Sequence, residues 1–496
     1  MVLLIKEEKG MNVPVKLFLD KTMEPDKNTV ECLKRMAMTK GIYKHIAALP
    51  DLHYKHSRAI PTGVAVATRN LIIPKFVLSS CGMSMIKTGL SEKDINEKKL
   101  DEFFNKIKSR VNMEKNHGFI DDNDFKEIIS KGAEWADRKF GIGENDNIEH
   151  NGNMFGKKGV DADELMQLIP KNTRKLGLIG MGVFGGGNHF IELQKVEKII
   201  DKAAAKQFGI KEGQIMIMLH TGSEIFGKSM HEHYTGRSGK YWYREIYQRI
   251  YYLWLGNNIL KRIVKKLNQG INVVYRHLEW KSSSKRIAKR EFGVIQVNSA
   301  AGEKFIKSKF LEANYAYANR AVVRKQIYDS FKEVFGDKEI ILMWDNDHEA
   351  FQKEKIGKEE LWVHRHGASR AMPKEYFKGH KIFGKTGQML FVPGSMGAPT
   401  YIGRVKSGCK DSFYSANHGA GRLIDRPEAR LKFKNKSVLK EMEKRKVRLY
   451  RYKGGSIVEE SPESYKNVDA IMGLMEKEGL GKAVARLVPI AVLKGD

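Results

Sequence analysis

Gln214-Ile215-Met216-Ile217-Met218-Leu219-His220-Thr221-Gly222-Ser223 is a short apolar run that stops on polar residues and a glycine. Its length and boundary mark a buried strand, and the strand presents His220 at its end. The pattern recurs at Glu339-Ile340-Ile341-Leu342-Met343-Trp344, which runs into Asp345-Asn346-Asp347-His348-Glu349. Leu71-Ile72-Ile73-Pro74 and Phe76-Val77-Leu78 read as two further short buried strands, delivering Cys81 within Ser79-Ser80-Cys81-Gly82-Met83. With helical segments at Asn28 to Met38 and Phe310 to Phe335, these strands predict an α/β fold.

Imidazole and thiolate suit Mn, Fe, Co or Zn, so strand-end histidines beside a strand-end cysteine point to a converging metal site. The separations are long-range, unlike C-x-x-C or H-E-x-x-H, and spacing alone does not say which residues meet. A free cysteine such as Cys81 is more often a small buried core residue.

Between Asn172 and Glu192 the chain is dense in glycine and ends in Gly185-Gly186-Gly187-Asn188-His189-Phe190-Ile191-Glu192. A triple glycine directly before Asn-His lets backbone and two polar side chains crowd one ligand, as phosphate loops do. Neither the Walker nor the Rossmann spacing is present. Val392-Pro393-Gly394-Ser395-Met396-Gly397 is a second candidate phosphate loop, or an ordinary turn. Ser415-Ala416-Asn417-His418-Gly419-Ala420-Gly421-Arg422 sets a histidine beside glycines, where phosphates can reach both imidazole and backbone N–H groups. Taken alone, such a histidine is more often a turn residue.

The 88 Lys plus Arg exceed the 59 Asp plus Glu by a formal +29, which favours a polyanionic partner, nucleic acid first. Residues 228–292 read as a basic, aromatic-rich helical insertion. In it Tyr241-Trp242-Tyr243, Tyr247, Tyr251-Tyr252 and Trp254 are interleaved with Lys and Arg. That mixture holds single-stranded nucleic acid by phosphate contacts and stacking; helical spacing equally allows the aromatics to face a core. A second basic run extends from Arg426 to Lys453. Residues 93–170 are polar and helical in pattern, a peripheral layer, and Ala48-Leu49-Pro50-Asp51-Leu52-His53 carries turn signals. Three cysteines make no disulfide framework, no apolar leader precedes the charged start, and no apolar run nears the roughly 18 residues of a membrane span. The expectation is a cytoplasmic protein without a membrane partner, and no linker divides residues 1–496.

In their order these motifs resemble the RNA-splicing ligase RtcB family over nearly the whole chain. The resemblance runs through Pro50-Asp51-Leu52-His53, Cys81-Gly82-Met83, the Gly185–Glu192 stretch, His220-Thr221-Gly222-Ser223 and Asn314-Tyr315-Ala316-Tyr317-Ala318-Asn319-Arg320. It continues through Asp345–His348, Val363-His364-Arg365-His366-Gly367-Ala368-Ser369-Arg370, Pro393–Gly397, His418–Arg422, Ser464-Tyr465-Lys466 and Leu493-Lys494-Gly495. It implies one large domain whose central sheets surround a metal and nucleotide pocket. It also implies a GTP- and Mn(II)-dependent ligase that joins RNA ending in 2′,3′-cyclic phosphate or 3′-phosphate to RNA beginning with 5′-OH, with an archease-like activator as a possible partner. By this resemblance His418 carries GMP. Cys81 is shared by two manganese ions, with His189 on one and His220 and His348 on the other. Asn188, Ser395, Ala420 and Gly421 contact phosphate, while Glu192, Thr400, Tyr465 and Lys494 form the guanine pocket. Arg422 and Arg426 meet RNA phosphates.

Two positions depart from the family pattern. Leu78 stands where an aspartate ligand is usual, which leaves the first metal site to borrow Ser79, Ser80, Asp51 or water. Glu224 stands where an arginine is common, and an acid there repels RNA phosphate unless it is neutralised or turned away. Alternative readings are an enzyme that guanylylates RNA 3′-phosphates and joins poorly, a metal-dependent phosphoesterase using the same histidines, and an RNA-binding protein without activity.

Overall fold

The computed structural model describes residues 3–8, 10–54, 60–113, 115–235, 292–452 and 457–495. Its frame is two sheets. The larger has eight strands, running in space as Ile340–Asp347, Cys81–Ser91, Gln214–Gly222, Phe190–Ile199, Gly481–Lys494, Thr400–Val405 and Met389–Pro393, with Arg448–Arg451 parallel to Gly481–Lys494. The smaller has six, in the order Leu3–Ile5, Val15–Leu17, Ile42–His53, Thr62–Thr68, Glu359–His366 and Phe351–Ile356. The mixed α/β class expected from the sequence is the class observed.

Gln214–Gly222 is buried along its whole length. Ile215, Ile217 and Leu219 enter one core, which contains the helices, while Met216 and Met218 enter another with Phe208, Trp344 and Phe391. Covering both faces explains why this strand is continuously apolar instead of alternating. The helix Ala300–Phe335 lies in the first core. Ser299 caps its start by accepting from the Gly302 N–H, and it ends at Gly336, whose φ is 73°. Two of its buried polar side chains tie it to the sheets: Asn319 donates to the Val183 and Gly222 carbonyls, and Arg320 Nε is 2.8 Å from Asp345 Oδ1. This helix therefore anchors the turn that follows His220.

Strand register brings the chemistry to one end of the larger sheet. Cys81 pairs with Gly222, Met83 and Phe190 both pair with His220, and Asp347 pairs with Gly82. Because those neighbours share an edge, Cys81, His189, His220 and His348 emerge together. Gly82 has to be glycine here, since a Cβ would lie 2.3 Å from the Asn346 carbonyl oxygen and 2.7 Å from Arg320 Cζ.

Three expectations change. Ala48–His53 is the end of the long strand Ile42–His53, not a turn. Its ladder is irregular between Ala48 and His53, so Pro50, which lacks an N–H, is accommodated there. Phe76-Val77-Leu78 is no strand: Pro74 begins a 3₁₀ turn, Pro74–Phe76, as its fixed φ and absent donor favour. The helices of residues 93–170 are not peripheral, for Phe103, Phe104, Phe125 and Trp135 are buried in the main core. Of the expected insertion, residues 236–291 lie outside the described residues; just before them the helix Glu224–Tyr234 is seen. Among the described residues no helix is long and apolar enough to cross a membrane.

Candidate functional site

Cys81 Sγ lies 3.3 Å from His189 Nε2 and 3.1 Å from His220 Nε2, and one donor atom from each of the three falls within 4.8 Å of the others. Each ring is turned by its other nitrogen. His220 Nδ1 is 3.1 Å from the Asn188 carbonyl oxygen, and His189 Nδ1 is 3.0 Å from Glu224 Oε1. His348 stands one ring further on, 5.0 Å by centroid from both His220 and His418, its backbone N–H on the Cys81 carbonyl. Its Nδ1 is buried without a protein partner.

Burial pushes His220 and His348 well below the ordinary imidazole range, and the neighbouring imidazoles push them further. Burial also raises the Cys81 thiol, opposed by His189. For His189 burial acts downward, but the Glu224 carboxylate and Cys81 outweigh it and raise it to about 10. Two imidazoles held toward the neutral form, a third facing the Glu224 carboxylate, and a thiol sulfur lie together, with His348 Nδ1 buried and unpartnered, a donor set that fits a divalent transition metal.

The replacement ligands suggested by Leu78 are mostly engaged. Leu78 is buried, 7% exposed, and its carbonyl accepts from Lys309 Nζ at 3.2 Å. The Ser80 N–H donates to Glu312 Oε1 at 2.8 Å and its hydroxyl to Asp347. Asp51 belongs to His418.

His418 is held by Asp51, whose Oδ2 lies 2.7 Å from Nδ1 and 3.2 Å from the His418 backbone N. These residues are 367 positions apart, joined because the end of the smaller sheet meets the short strand Ser415–Asn417. Backbone closes round Asp51. Gly421, at φ 75°, packs so closely that a Cβ would lie 2.3 Å from the Asp51 carbonyl oxygen, and a Cβ on Gly63 would lie 2.7 Å from Asp51 Oδ1. Lys466 Nζ donates to the carbonyls on either side, Pro50 at 3.1 Å and Leu52 at 2.6 Å, while its N–H reaches Gly421. Burial lowers Lys466 to about 8 against the opposing pull of Asp51.

A cluster of buried polar side chains carries the residues expected to form the guanine pocket. Gln194 Nε2 bridges Glu192 Oε1 at 2.5 Å and Thr400 Oγ1 at 2.8 Å. Burial raises Glu192 to about 7, resisted by Gln194 and Lys494. Glu460 accepts from the Tyr465 hydroxyl at 2.5 Å and pairs with Lys494 at 3.4 Å and Arg422 at 3.4 Å. Burial would raise Glu460, yet Lys494, Arg426 and Arg422 together hold it at about 2. The Arg422 guanidinium lies over the Tyr465 ring at 4.7 Å and is buried, 7% exposed. Arg426 Nη2 donates to Asn188 Oδ1 at 3.1 Å with its side chain 38% exposed. Ser395 is half-buried beside the turn closed by Ala398, and the Ala420 N–H is on the Pro393 carbonyl. Glu460 had no signal of its own in the sequence, and Asp51 and Lys466 stood inside quoted motifs without these roles.

The sequence was compared with known families and proteins. A profile described as "tRNA-splicing ligase RtcB" matches residues 32–495. The chain is 28% identical over 505 residues to a tRNA-splicing ligase RtcB of Archaeoglobus fulgidus, covering 98% of this chain and 95% of that one. The corresponding protein of Thermococcus kodakarensis is 28% identical over 512 residues, covering 99% and 96%. That of Pyrobaculum aerophilum is 29% identical over 504 residues, covering 97% and 95%. With the profile spanning nearly its full length, the chain belongs to the RtcB family.

Proposed function

We propose that this chain is an RNA ligase of the tRNA-splicing kind that joins a 2′,3′-cyclic phosphate or 3′-phosphate end to a 5′-OH end, using GTP and Mn(II), with His418 as nucleophile. The observation that carries the reading is the Asp51–His418 pair beside the Cys81–His189–His220 cluster. A carboxylate 2.7 Å from Nδ1 keeps the proton on that nitrogen and leaves Nε2 with its lone pair for a phosphorus atom. Asp51 also accepts the His418 backbone N–H, so ring and main chain are fixed by one group.

Cys81, His189, His220 and His348 are the residues to hold manganese, whose chemistry is to neutralise phosphoryl oxygens. GTP supplies the guanylyl group that activates a 3′-phosphate end. Glu192, Thr400, Lys494 and Tyr465 take the guanine; Arg422 backs one face of Tyr465, and the base stacks on the other. Asn188, Ser395, Ala420 and Gly421 lie along the phosphates. Of the two arginines, Arg426 is the more exposed to RNA phosphate. The basic composition of residues 228–292 favours RNA phosphate.

The test incubates the full chain with Mn(II) and α-labelled GTP, then supplies RNA with 3′-phosphate and 5′-OH ends, with and without an archease-like activator. Label on His418 and a joined product are expected. No adduct with any divalent metal overturns the ligase reading, and an adduct with capped but unjoined ends selects a 3′-phosphate guanylylating enzyme instead. Release of phosphate from 3′-phosphate RNA without an adduct selects a phosphoesterase.

A further inference from the structure

Glu224 occupies an unusual place. Its φ is 46°, a left-handed conformation that a residue with a Cβ adopts at a cost, and such strain persists where its surroundings enforce it. The carboxylate points inward, with its side chain only 10% exposed. Oε1 accepts from the Thr221 hydroxyl at 3.1 Å and the Gly222 N–H at 3.3 Å, and lies 3.0 Å from His189 Nδ1. The single Thr221 hydroxyl proton is shared between Glu224 Oε1 and the closer Phe184 carbonyl, 2.8 Å away. The glycine-rich loop closes over the acid: a Cβ on Gly185 would lie 2.0 Å from Glu224 Oε2. The loop, the strained turn and the carboxylate are thus fitted to one another, and the acid faces inward.

We infer that Glu224 is a positioning residue for the metal centre, holding His189 with its Nδ1 protonated and its Nε2 aimed at the ion beside Cys81. The inference rests on the reading of Cys81, His189 and His220 as metal ligands. His220 has a neutral counterpart, the Asn188 carbonyl, so the two imidazoles are oriented by different means. Only His189 is buttressed by a charge. A carboxylate behind a ligating imidazole raises its basicity and fixes its tautomer, and loss of such a partner typically weakens metal binding about 10- to 100-fold. The chain thereby keeps a negative charge close to a centre where Leu78 provides none.

The test uses the full chain freed of metal by chelation. Mn(II) is titrated by calorimetry, and Co(II) is added to read the thiolate charge-transfer and d–d bands. Glu224→Gln is expected to weaken Mn(II) binding about 10- to 100-fold and to shift the Co(II) bands, with Glu224→Asp recovering part of both. Wild-type affinity and an unchanged Co(II) spectrum in Glu224→Gln overturn the inference. If Glu224→Gln does not fold, Glu224→Asp, whose shorter arm withdraws the carboxylate from His189 Nδ1, is titrated in its place; weakened binding with shifted Co(II) bands supports the inference and wild-type values for both overturn it. Failure of the wild-type chain to bind either ion overturns the metal reading itself, a result distinct from a wild type that binds and a variant that binds equally well.

Discussion

The Asp51–His418 side of the site is closely packed by backbone, whereas on the Cys81–His189–His220 side one imidazole leans on a carbonyl, that of Asn188, and the other on a side chain, Glu224. Around Asp51, two glycines and two carbonyls clamped by Lys466 leave no room for a changed atom. Around Cys81, each imidazole has its own support, the Asn188 carbonyl for His220 and Glu224 for His189. A cradle made of main chain is indifferent to most side-chain substitution but intolerant of an added Cβ. A support made of one side chain, as Glu224 is for His189, can be removed by a single substitution that leaves the main chain in place.

The largest effect should come from breaking the backbone-held side at its centre. His418→Ala should abolish the covalent guanylyl label. Asp51→Asn, which loses control of the tautomer while keeping the shape, should slow labelling roughly 10³- to 10⁴-fold. Single-turnover labelling at saturating GTP measures both, and a near-normal rate in Asp51→Asn would show that Asp51 is structural only. Next is Cys81→Ala, expected to weaken Mn(II) binding more than about 100-fold while leaving the His418 ring NMR signals of the metal-free protein in place. A large shift of those signals would mean that the two sides are not separately supported.

Gly421→Ala attacks the same cradle as Asp51→Asn without touching a reacting group. The new Cβ would lie 2.3 Å from the Asp51 carbonyl oxygen at a φ of 75°, so the strand end and His418 must move apart. A displacement near an ångström costs about 100-fold in rate, and the strained conformation costs roughly 1–3 kcal/mol of stability. Labelling rate and urea unfolding should fall together. Wild-type values for both would show that this end of the strand is looser than its contacts suggest.

Much of this was legible in the sequence because it is local. Cys81, His220 and His348 stand at the ends of apolar runs, and His189 and His418 beside glycines, so residue type and position advertise them. The Asp51–His418 contact was not legible: it spans 367 positions and depends on a strand end that reads as a turn because of Pro50. The inward turn of Glu224 was not legible either, since it follows from one positive φ and from the absence of a Cβ at Gly185. Lys466, a lysine that donates to two carbonyls, looks in sequence like any surface lysine. The contacts of Arg422 with Glu460, the Ile424 carbonyl and the Tyr465 ring are likewise invisible in the sequence.

Lys466 sharpens the comparison most finely, because its contribution carries a sign that pH reveals. Its burial lowers the folded-state pKa to about 8 from the ordinary 10.5, with Asp51 pulling the other way. Between these values the unfolded chain binds more protons than the folded one, so the lysine's contribution to stability rises with pH across that window. Lys466→Met carries no such group. The difference in unfolding free energy, wild type minus variant, should therefore increase from pH 8 to pH 10.5. The rise should reach at most about 3 kcal/mol, less whatever water the side chain retains. Paired urea titrations along that range isolate it, because every other titrating group is common to both proteins. A flat difference would place the ammonium in water, and the carbonyls of Pro50 and Leu52 would then need another explanation for how they hold Asp51 against His418.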